Sequence, residues 1–136
     1  MPVYSSDQQF YSCLKMLFTQ IGEVDPQAAD QITKSKLTIR FNCSQPTAEV
    51  LIDGRSHPLQ IHYGPNGVKP ILDIMLTGDT LHEILLGTLK LSKAVGSKQL
   101  KPKGPIWKAT ALEPILYHAQ NLYPQIVQEC NPNAAT

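Results

Sequence analysis

An alternation of apolar and polar residues across the centre of the chain restricts its fold more than any other feature. Apolar side chains stand at every second position in four segments, residues 37–41, 48–52, 59–63 and 72–76. Because successive side chains of a strand point to opposite faces of a sheet, this period predicts four half-buried strands. The turn signals between them, such as Asp53-Gly54, are short and predict an antiparallel meander.

The segment before the strands has the periodicity of helices instead. Apolar residues within residues 7–21 lie at helical spacings and predict an amphipathic helix. Ser5 or Ser6 is expected to cap its start, and Gly22 is expected to end it. A second, shorter helix is expected over residues 27–32.

Two short helices and a fifth strand are predicted after the fourth strand. Thr80 and Glu83 have the spacing of a capping box, which predicts a short helix that ends at Gly87. A second short helix is expected over residues 89–95, and a strand over residues 98–102.

Two prolines interrupt the helical pattern at the C-terminal end. A last helical region is expected after Gly104, interrupted at Pro114 and Pro124 because the residue before a proline disfavours helical geometry. Residues 131–136 are expected to form a frayed tail. The whole pattern predicts one α+β domain over residues 1–136.

Composition and charge argue against several classes of protein. The chain has 12 basic and 11 acidic residues, a net charge of +1, and this balance does not favour a nucleic-acid partner. Apolar runs are too short for a membrane-spanning helix. Cys13, Cys43 and Cys130 are widely spaced and fit no zinc pattern, so we expect reduced thiols in a cytoplasmic protein. No metal ion or cofactor is expected.

Few residues are candidates for catalysis. Asp53, Ser56 and His57 stand close together, but the composition of a hairpin turn accounts for them better than a catalytic triad does. An enzyme acting on a hydrophobic substrate could use His57 or His82 as a base, yet the sequence shows no polar cluster converging on either one. His82 is expected at the surface. We therefore expect no catalytic residue and no enzymatic activity.

An ordered set of glycines and apolar helices carries a family resemblance. A strand end leads to a leucine-rich helix closed by glycine, then to a second helix, a glycine, a lysine-rich strand and a final glycine. The residues in that order are Leu76, Thr77, Leu81, Ile84, Leu85, Gly87, Ala94, Gly96, Lys98, Leu100, Lys101 and Gly104. This pattern resembles the sterol carrier protein type 2 family of lipid-binding domains, and the resemblance extends over residues 7–120.

Two departures from the family pattern concern the last strand. Ser97 separates Gly96 from Lys98, where the family commonly joins glycine to lysine, and Pro105 follows Gly104, where the family commonly has aspartate or asparagine. These changes leave the expected fold intact and affect the geometry of the tunnel entrance.

The resemblance implies a fold and a function. It implies a mixed, largely antiparallel sheet of about five strands, covered by helices on one side and enclosing an apolar tunnel. A fatty acid, sterol or other lipid would bind there without catalysis, and transient contact with a membrane surface would accompany its transfer. The residues expected to line the tunnel are Leu14, Leu17, Phe18, Phe41, Ile74, Leu76, Leu81, Ile84, Leu85, Leu89, Leu112, Ile115 and Leu116. Lys98, Lys101 or Lys103 would provide a polar mouth.

The alternative hypothesis is an interaction or oligomerisation module that assists a lipid-metabolising enzyme. The sequence leaves the oligomeric state open. An empty tunnel would be energetically costly. A void of ~300 Å³ would destabilise the fold by roughly 7 kcal/mol, at about 24 cal/mol per Å³. An empty tunnel of that size should therefore be hydrated or collapsed.

Overall fold

The computed structural model describes residues 3–131 and has an α+β architecture. Its elements, in chain order, are α1 (Asp7–Val24), α2 (Asp30–Lys34), β1 (Thr38–Ser44), β2 (Ala48–Asp53), β3 (Gln60–Tyr63), β4 (Leu72–Thr77), α3 (Gly78–Leu86), α4 (Leu91–Gly96), β5 (Leu100–Lys103), a 3-10 helix (Ile106–Leu112) and α5 (Glu113–Cys130). The strands form one mixed sheet in the order β3-β2-β1-β4-β5, which confirms the predicted fold class.

The central strand β1 pairs with two different partners. It is antiparallel to β2 and parallel to β4, so Phe41 lies between Val50 and Ile74. The predicted antiparallel meander is confirmed for β1, β2 and β3, and the parallel pair shows that it was wrong for β4. Residues 64–71 carry the chain from β3 at one edge to the far side of β1, whereas a hairpin would have placed β4 beside β3. This crossover puts the buried face of β4 next to the buried face of β1.

The two faces of the sheet differ in chemistry. One face contributes apolar residues such as Ile39 to the core that the helices cover. The opposite face carries the Arg40 guanidinium, whose Nη2 lies 2.6 Å from Asp73 Oδ2 and whose Nη1 lies 3.3 Å from Glu49 Oε1. These half-buried ion pairs connect the three adjacent strands β2, β1 and β4.

The first helix starts as predicted and ends later than predicted. The Ser6 hydroxyl oxygen accepts a hydrogen bond from the Gln9 N–H at 3.2 Å, which confirms one of the two expected caps. The helix then continues through Gly22 to Val24, where the Asp25 N–H donates to the Ile21 carbonyl at 2.8 Å. Gly22 does not end the helix, because its backbone stays helical and the hydrogen-bond pattern runs on.

Three shorter elements start later than the sequence pattern predicts. A turn closed by the Ala28 N–H and the Asp25 carbonyl precedes α2, so this helix begins at Asp30. The helix α4 begins two residues after its expected start. The strand β5 also begins two residues late, because Lys98 adopts a left-handed conformation with φ +66° that no strand can contain.

The helix α3 follows β4 without a loop. Its N-cap is Thr77, whose hydroxyl oxygen accepts the Thr80 N–H at 3.1 Å, so the expected capping box at Thr80 and Glu83 is wrong. The predicted end is confirmed: Gly87 has φ +87°, and its N–H donates to the Glu83 carbonyl at 3.1 Å.

The last helix runs without a break through both of its prolines, contrary to the sequence prediction. Pro114 lies in its first turn, where a backbone N–H would have no partner in the helix. Pro124 lies in its interior and removes one hydrogen bond. Tyr123 and Ile126 on either side of it are buried, so their packing holds the helix across this position.

A disulfide between Cys13 and Cys130 joins α1 to the end of α5, with a Cα–Cα distance of 5.6 Å. It corrects the expectation of three reduced thiols. Cys43 is free and buried, and burial raises the pKa of its thiol to about 12, so the thiol stays neutral. The disulfide also removes the argument from reduced thiols for a cytoplasmic location, which stays a prediction.

The end of the described chain is anchored. Asn131 is only 3% exposed, and its side-chain amide donates to the Val3 carbonyl at 2.7 Å. The Val3 N–H in turn donates to Asp79 Oδ1 at 2.7 Å. The predicted tail therefore does not begin at Asn131, and residues 132–136 lie outside the described residues. No helix within residues 3–131 is long and apolar enough to cross a membrane.

Candidate functional site

Apolar side chains from both layers of the fold surround a small interior cavity of about 10 Å³. They come from α1, β1, β2, α3, the 3-10 helix and α5. The lining residues are Leu14, Phe18, Phe41, Ile52, Leu81, Leu85, Leu112, Ile115 and Leu116. All except Ile52 belong to the set expected from the sequence. At this volume the cavity could hold one water molecule at most, and its lining offers that water no polar side chain.

A larger groove opens at the surface above α3 and α5 and has a volume of about 590 Å³. We call it the Trp107 groove. It runs between α3, α4, the 3-10 helix and α5. Its apolar floor is formed by residues that include Ile84, Leu89, Val95, Ile106 and Leu116. One of these residues, Leu116, also lines the interior cavity.

A second surface space, of about 300 Å³, lies at the other end of the interior. We call it the Asp25 pocket, since it is formed where α1 ends and α2 begins, opposite the turn at His57. Phe18 and Ile115 line both this pocket and the interior cavity.

Shared side chains thus place three apolar spaces in a row. Leu116 separates the Trp107 groove from the interior, and Phe18 and Ile115 separate the interior from the Asp25 pocket. The three shared residues all have large apolar side chains. Because side chains can change rotamer, these boundaries can open without any change in the fold.

The structure places the remaining expected residues elsewhere. Leu17 and Ile74 are fully buried and line none of the three spaces, so they pack in the core. Leu76 lines a separate depression at the end of the sheet. Ile84 and Leu89 line the Trp107 groove and not the interior cavity.

The lysines expected at a polar mouth lie away from these spaces. Lys98 and Lys101 border the depression that contains Leu76, and Lys103 pairs with Asp73 in the register of β5 and β4. The cation on the rim of the Trp107 groove is Lys90. The three expected lysines lie in the edge strand β5 and in the turn before it, and β5 pairs with β4 at the end of the sheet.

An aspartate–histidine pair stands at the rim of the Asp25 pocket. Asp25 Oδ2, at the C-terminal end of α1, lies 3.0 Å from His118 Nε2 on α5. This contact links the two long helices beside Ile115. It provides the pocket with a polar rim opposite its apolar interior.

A buried polar cluster, missed by the sequence reasoning, lies between the N-terminal segment, α3 and α5. The hydroxyls of Tyr4 and Tyr123 are hydrogen-bonded to each other, and Tyr123 Oη lies 2.7 Å from His82 Nδ1. His82 is only 9% exposed, so its expected surface position is wrong. Tyr123 continues the apolar stripe of α5 four residues after Ala119, and this spacing was the one signal that could have placed it inside.

Burial shifts the ionisation of this cluster toward its neutral forms. It raises the pKa of Tyr4 to about 12 and raises the pKa of Tyr123 as well. Burial also lowers the pKa of His82, against the attraction of Asp79 and Glu83. None of the three residues lines any of the apolar spaces described above. The cluster therefore connects the N-terminal segment, α3 and α5 through buried hydrogen bonds.

The other candidate group for catalysis does not converge either. Asp53 is bound to Arg55 through two side-chain hydrogen bonds of 2.9 and 2.7 Å, which hold the pKa of its carboxyl at about 2. Ser56 and His57 are exposed in the turn that follows. Asp53 therefore ends β2 and pairs with Arg55, and Ser56 and His57 belong to the turn between β2 and β3.

Comparison with known proteins agrees with this architecture. The family model of the SCP-2 sterol transfer family matches residues 18–117. No curated protein sequence shows a significant match. The chain is similar to sterol carrier protein 2 from Yarrowia lipolytica in its apo form, with 26% identity, a TM-score of 0.56, and coverage of 70% of this chain and 77% of that one.

Two further solved structures share the fold at lower identity. The sterol carrier protein domain 2 of Helicoverpa armigera is 14% identical, with a TM-score of 0.65 and coverage of 83% of this chain and 89% of that chain. Palmitated SCP2L2 from Aedes aegypti is 17% identical, with a TM-score of 0.54 and coverage of 78% and 92%.

A mixed sheet covered on one face by helices, with an apolar interior beneath them, places this chain in the class of α+β domains that includes the sterol carrier proteins. Since the family model matches well over half of the chain, the protein belongs to the SCP-2 sterol transfer family.

Proposed function

We propose that this protein binds one fatty acid, sterol or other lipid in the row of apolar spaces under its helices, and carries it without chemical change. The observation that supports this most directly is the sharing of Leu116 between the Trp107 groove and the interior cavity. A lipid entering through the groove needs to displace only side chains to reach the interior. Phe18 and Ile115 would admit its far end to the Asp25 pocket.

The size of the closed interior fits a protein without a ligand. A void of ~10 Å³ costs only about 0.2 kcal/mol, so the collapsed state has almost no cavity penalty. A lipid chain of ~14 methylenes gains roughly 11 kcal/mol on burial, at ~0.8 kcal/mol for each methylene. Association costs of several kcal/mol reduce that gain, and leave enough for micromolar or tighter binding.

The elements that would move to admit the lipid are those around the groove. The strands form the rigid wall that carries Phe41, whereas α3, α4 and the 3-10 helix form the lid. Pro105 immediately precedes the 3-10 helix and Pro114 lies in the first turn of α5, so each proline stands at one end of that lid segment. Single-chain lipids are favoured as ligands, since a fold neighbour is a palmitated protein.

Carriage rather than catalysis is proposed because the interior cavity is lined by apolar side chains alone, whereas polar side chains such as His57 and Asp25 border the surface pocket. The buried hydroxyls of Tyr4 and Tyr123 keep their protons at neutral pH, and His82 is hydrogen-bonded to Tyr123. The polar side chains on the rims, such as Asp25, His118 and Lys90, are positioned to meet a lipid head group.

The first experiment is native mass spectrometry of the purified protein, followed by extraction and identification of any bound lipid. A near-stoichiometric lipid supports carriage and names the ligand class. A ligand-free protein is then titrated with a fluorescent fatty acid. If no saturable binding is found, carriage is overturned, and the interaction-module hypothesis becomes the better account.

A pair of variants tests the location of the lipid. Leu116→Lys places a charge at the boundary of the interior, and we expect it to weaken fatty-acid binding at least tenfold because the charge would have to be desolvated. Leu122→Lys is the matched control, since Leu122 lies on the same helix, is also half-buried and lines none of the three spaces. Equal losses in both variants, or none in Leu116→Lys, would contradict the proposed site.

A further inference from the structure

Two of the large apolar side chains left exposed on the described chain are aromatic and line the same groove. Trp107 is 71% exposed and Tyr117 is 65% exposed, and both border the Trp107 groove. Tryptophan and tyrosine combine an apolar ring with a polar atom, and both are enriched where a membrane meets water. The other exposed apolar residues, Val24 and Ile71, lie outside this groove.

The 3-10 helix accounts for the outward position of Trp107. Such a helix has three residues in each turn, so Ile106, Ala109 and Leu112 lie on one face. That face packs inward, where Ala109 and Leu112 are buried. Trp107 and Thr110 consequently fall on an outward face, and substitution of Trp107 removes no core contact.

Lysines line both of the surface spaces that Trp107 borders. Lys90 lines the Trp107 groove, and Lys34 and Lys108 line an adjoining depression that also contains Trp107. Glu113 is the one carboxylate among the side chains that line these two spaces in the described part of the chain. The surface around Trp107 therefore has a positive excess, although the chain as a whole has a net charge of only +1.

We infer that the surface formed by Trp107, Tyr117, Lys34, Lys90 and Lys108 docks on an anionic lipid membrane. The two aromatic rings enter the interfacial layer, and the three ammonium groups contact lipid phosphates and carboxylates. Docking in this orientation places the membrane over the groove that leads to Leu116. The purpose of the contact, exchange of a lipid, rests on the proposed function, whereas the contact itself rests on exposure and charge.

The chain provides its own reporter for this surface, because Trp107 is its single tryptophan. Wild-type protein is mixed with phosphatidylcholine vesicles that contain about one third phosphatidylserine, and with pure phosphatidylcholine vesicles. With the anionic vesicles we expect a blue shift of the emission and quenching by brominated acyl chains. An unchanged emission spectrum with anionic vesicles would overturn the inference.

Charge-reversal variants locate the contact. The variant that combines Lys34→Glu, Lys90→Glu and Lys108→Glu is expected to lose at least about tenfold in affinity for the anionic vesicles. The matched control combines Lys98→Glu, Lys101→Glu and Lys103→Glu, which changes the net charge equally in β5 and the turn before it. Co-sedimentation measures both. An equal or greater loss in the control would place the contact on β5 and overturn the inference.

Two additional measurements separate this inference from the proposed function. Fluorescent fatty-acid binding in solution should be unchanged, within about twofold, in the double variant Lys34→Glu/Lys108→Glu, because these two ammonium groups line the adjoining depression and none of the three apolar spaces. Docking without fatty-acid binding would overturn carriage alone, and fatty-acid binding without docking would overturn the membrane surface alone. A blue shift that appears without vesicles as protein concentration rises would show that a second copy covers Trp107, which also overturns the membrane surface.

Discussion

The Nδ1 atom of His82 lies 2.7 Å from the hydroxyl oxygen of Tyr123, in the packed space between α3 and α5. Burial lowers the pKa of His82 from its usual value of 6.5. Between that value and the lowered pKa, the unfolded chain binds more protons at this position than the folded chain does. The stability that depends on a neutral His82 is therefore fully present above about pH 6.5 and is lost as the pH falls toward the lowered value.

The first prediction is a fall in the free energy of unfolding below about pH 6.5, measured by urea denaturation at closely spaced pH values. In His82→Asn this fall should be reduced, because the asparagine amide can replace Nδ1 and does not titrate. His57→Asn is the control, since His57 is exposed. A fall that is identical in wild type and His82→Asn would assign the effect to other groups. The carboxyl of Asp53, whose pKa is about 2, contributes only at much lower pH.

The second prediction concerns Tyr123→Phe, which leaves Tyr4 Oη and His82 Nδ1 without their common partner. We expect a loss of about 1–3 kcal/mol in the free energy of unfolding, because buried polar groups lose their hydrogen bonds. Tyr117→Phe, on the same helix but exposed, should change it by less than about 0.5 kcal/mol. Equal effects of the two variants would show that the cluster contributes nothing specific.

The third prediction concerns the disulfide. Reduction of Cys13–Cys130 should lower the free energy of unfolding by about 2–4 kcal/mol, since the bond joins residues 117 positions apart. In Cys130→Ser the reductant should have no further effect, and this variant should match the reduced wild-type protein. Alkylation and mass measurement before and after reduction check the pairing directly. Free thiols at both positions in protein purified without reductant would contradict it.

The fourth prediction compares two glycines. Gly87 has φ +87°, and an added Cβ would lie 2.8 Å from Gln120 Cγ, so Gly87→Ala should destabilise the fold by about 1–2 kcal/mol. Gly22 lies inside α1 with open space around it, so Gly22→Ala should stabilise the fold by up to about 1 kcal/mol. Thermal unfolding of the two variants measures both effects, and a gain of stability in Gly87→Ala would contradict the left-handed cap.

Local sequence patterns predicted the local structure well. The alternation of Leu72, Ile74 and Leu76 placed β4, and a glycine after a leucine-rich segment placed the end of α3. The pairing of the strands could not be predicted in the same way. Alternation shows which face of a strand is buried, but it does not show which other strand lies beside that strand. The parallel pairing of β1 and β4 was therefore missed.

Contacts between distant parts of the chain were also missed. Tyr4 and Tyr123 are 119 residues apart, and neither carries a local signal that it needs the other. Pro124 was expected to break α5 because proline rules describe an isolated helix, and packing around Tyr123 outweighs them. Among the expected lining residues, Leu17 and Leu116 looked alike in sequence, and only their position around a cavity separates them.

The disulfide between the first helix and the last has a topological consequence. It turns nearly the entire described chain into a covalent ring, with Cys13 and Cys130 as its closure. A protease that cuts once within residues 64–71, a segment without regular secondary structure, opens the ring but releases no fragment. The nicked molecule keeps its mass apart from one added water, and its two pieces separate only when the cystine is reduced.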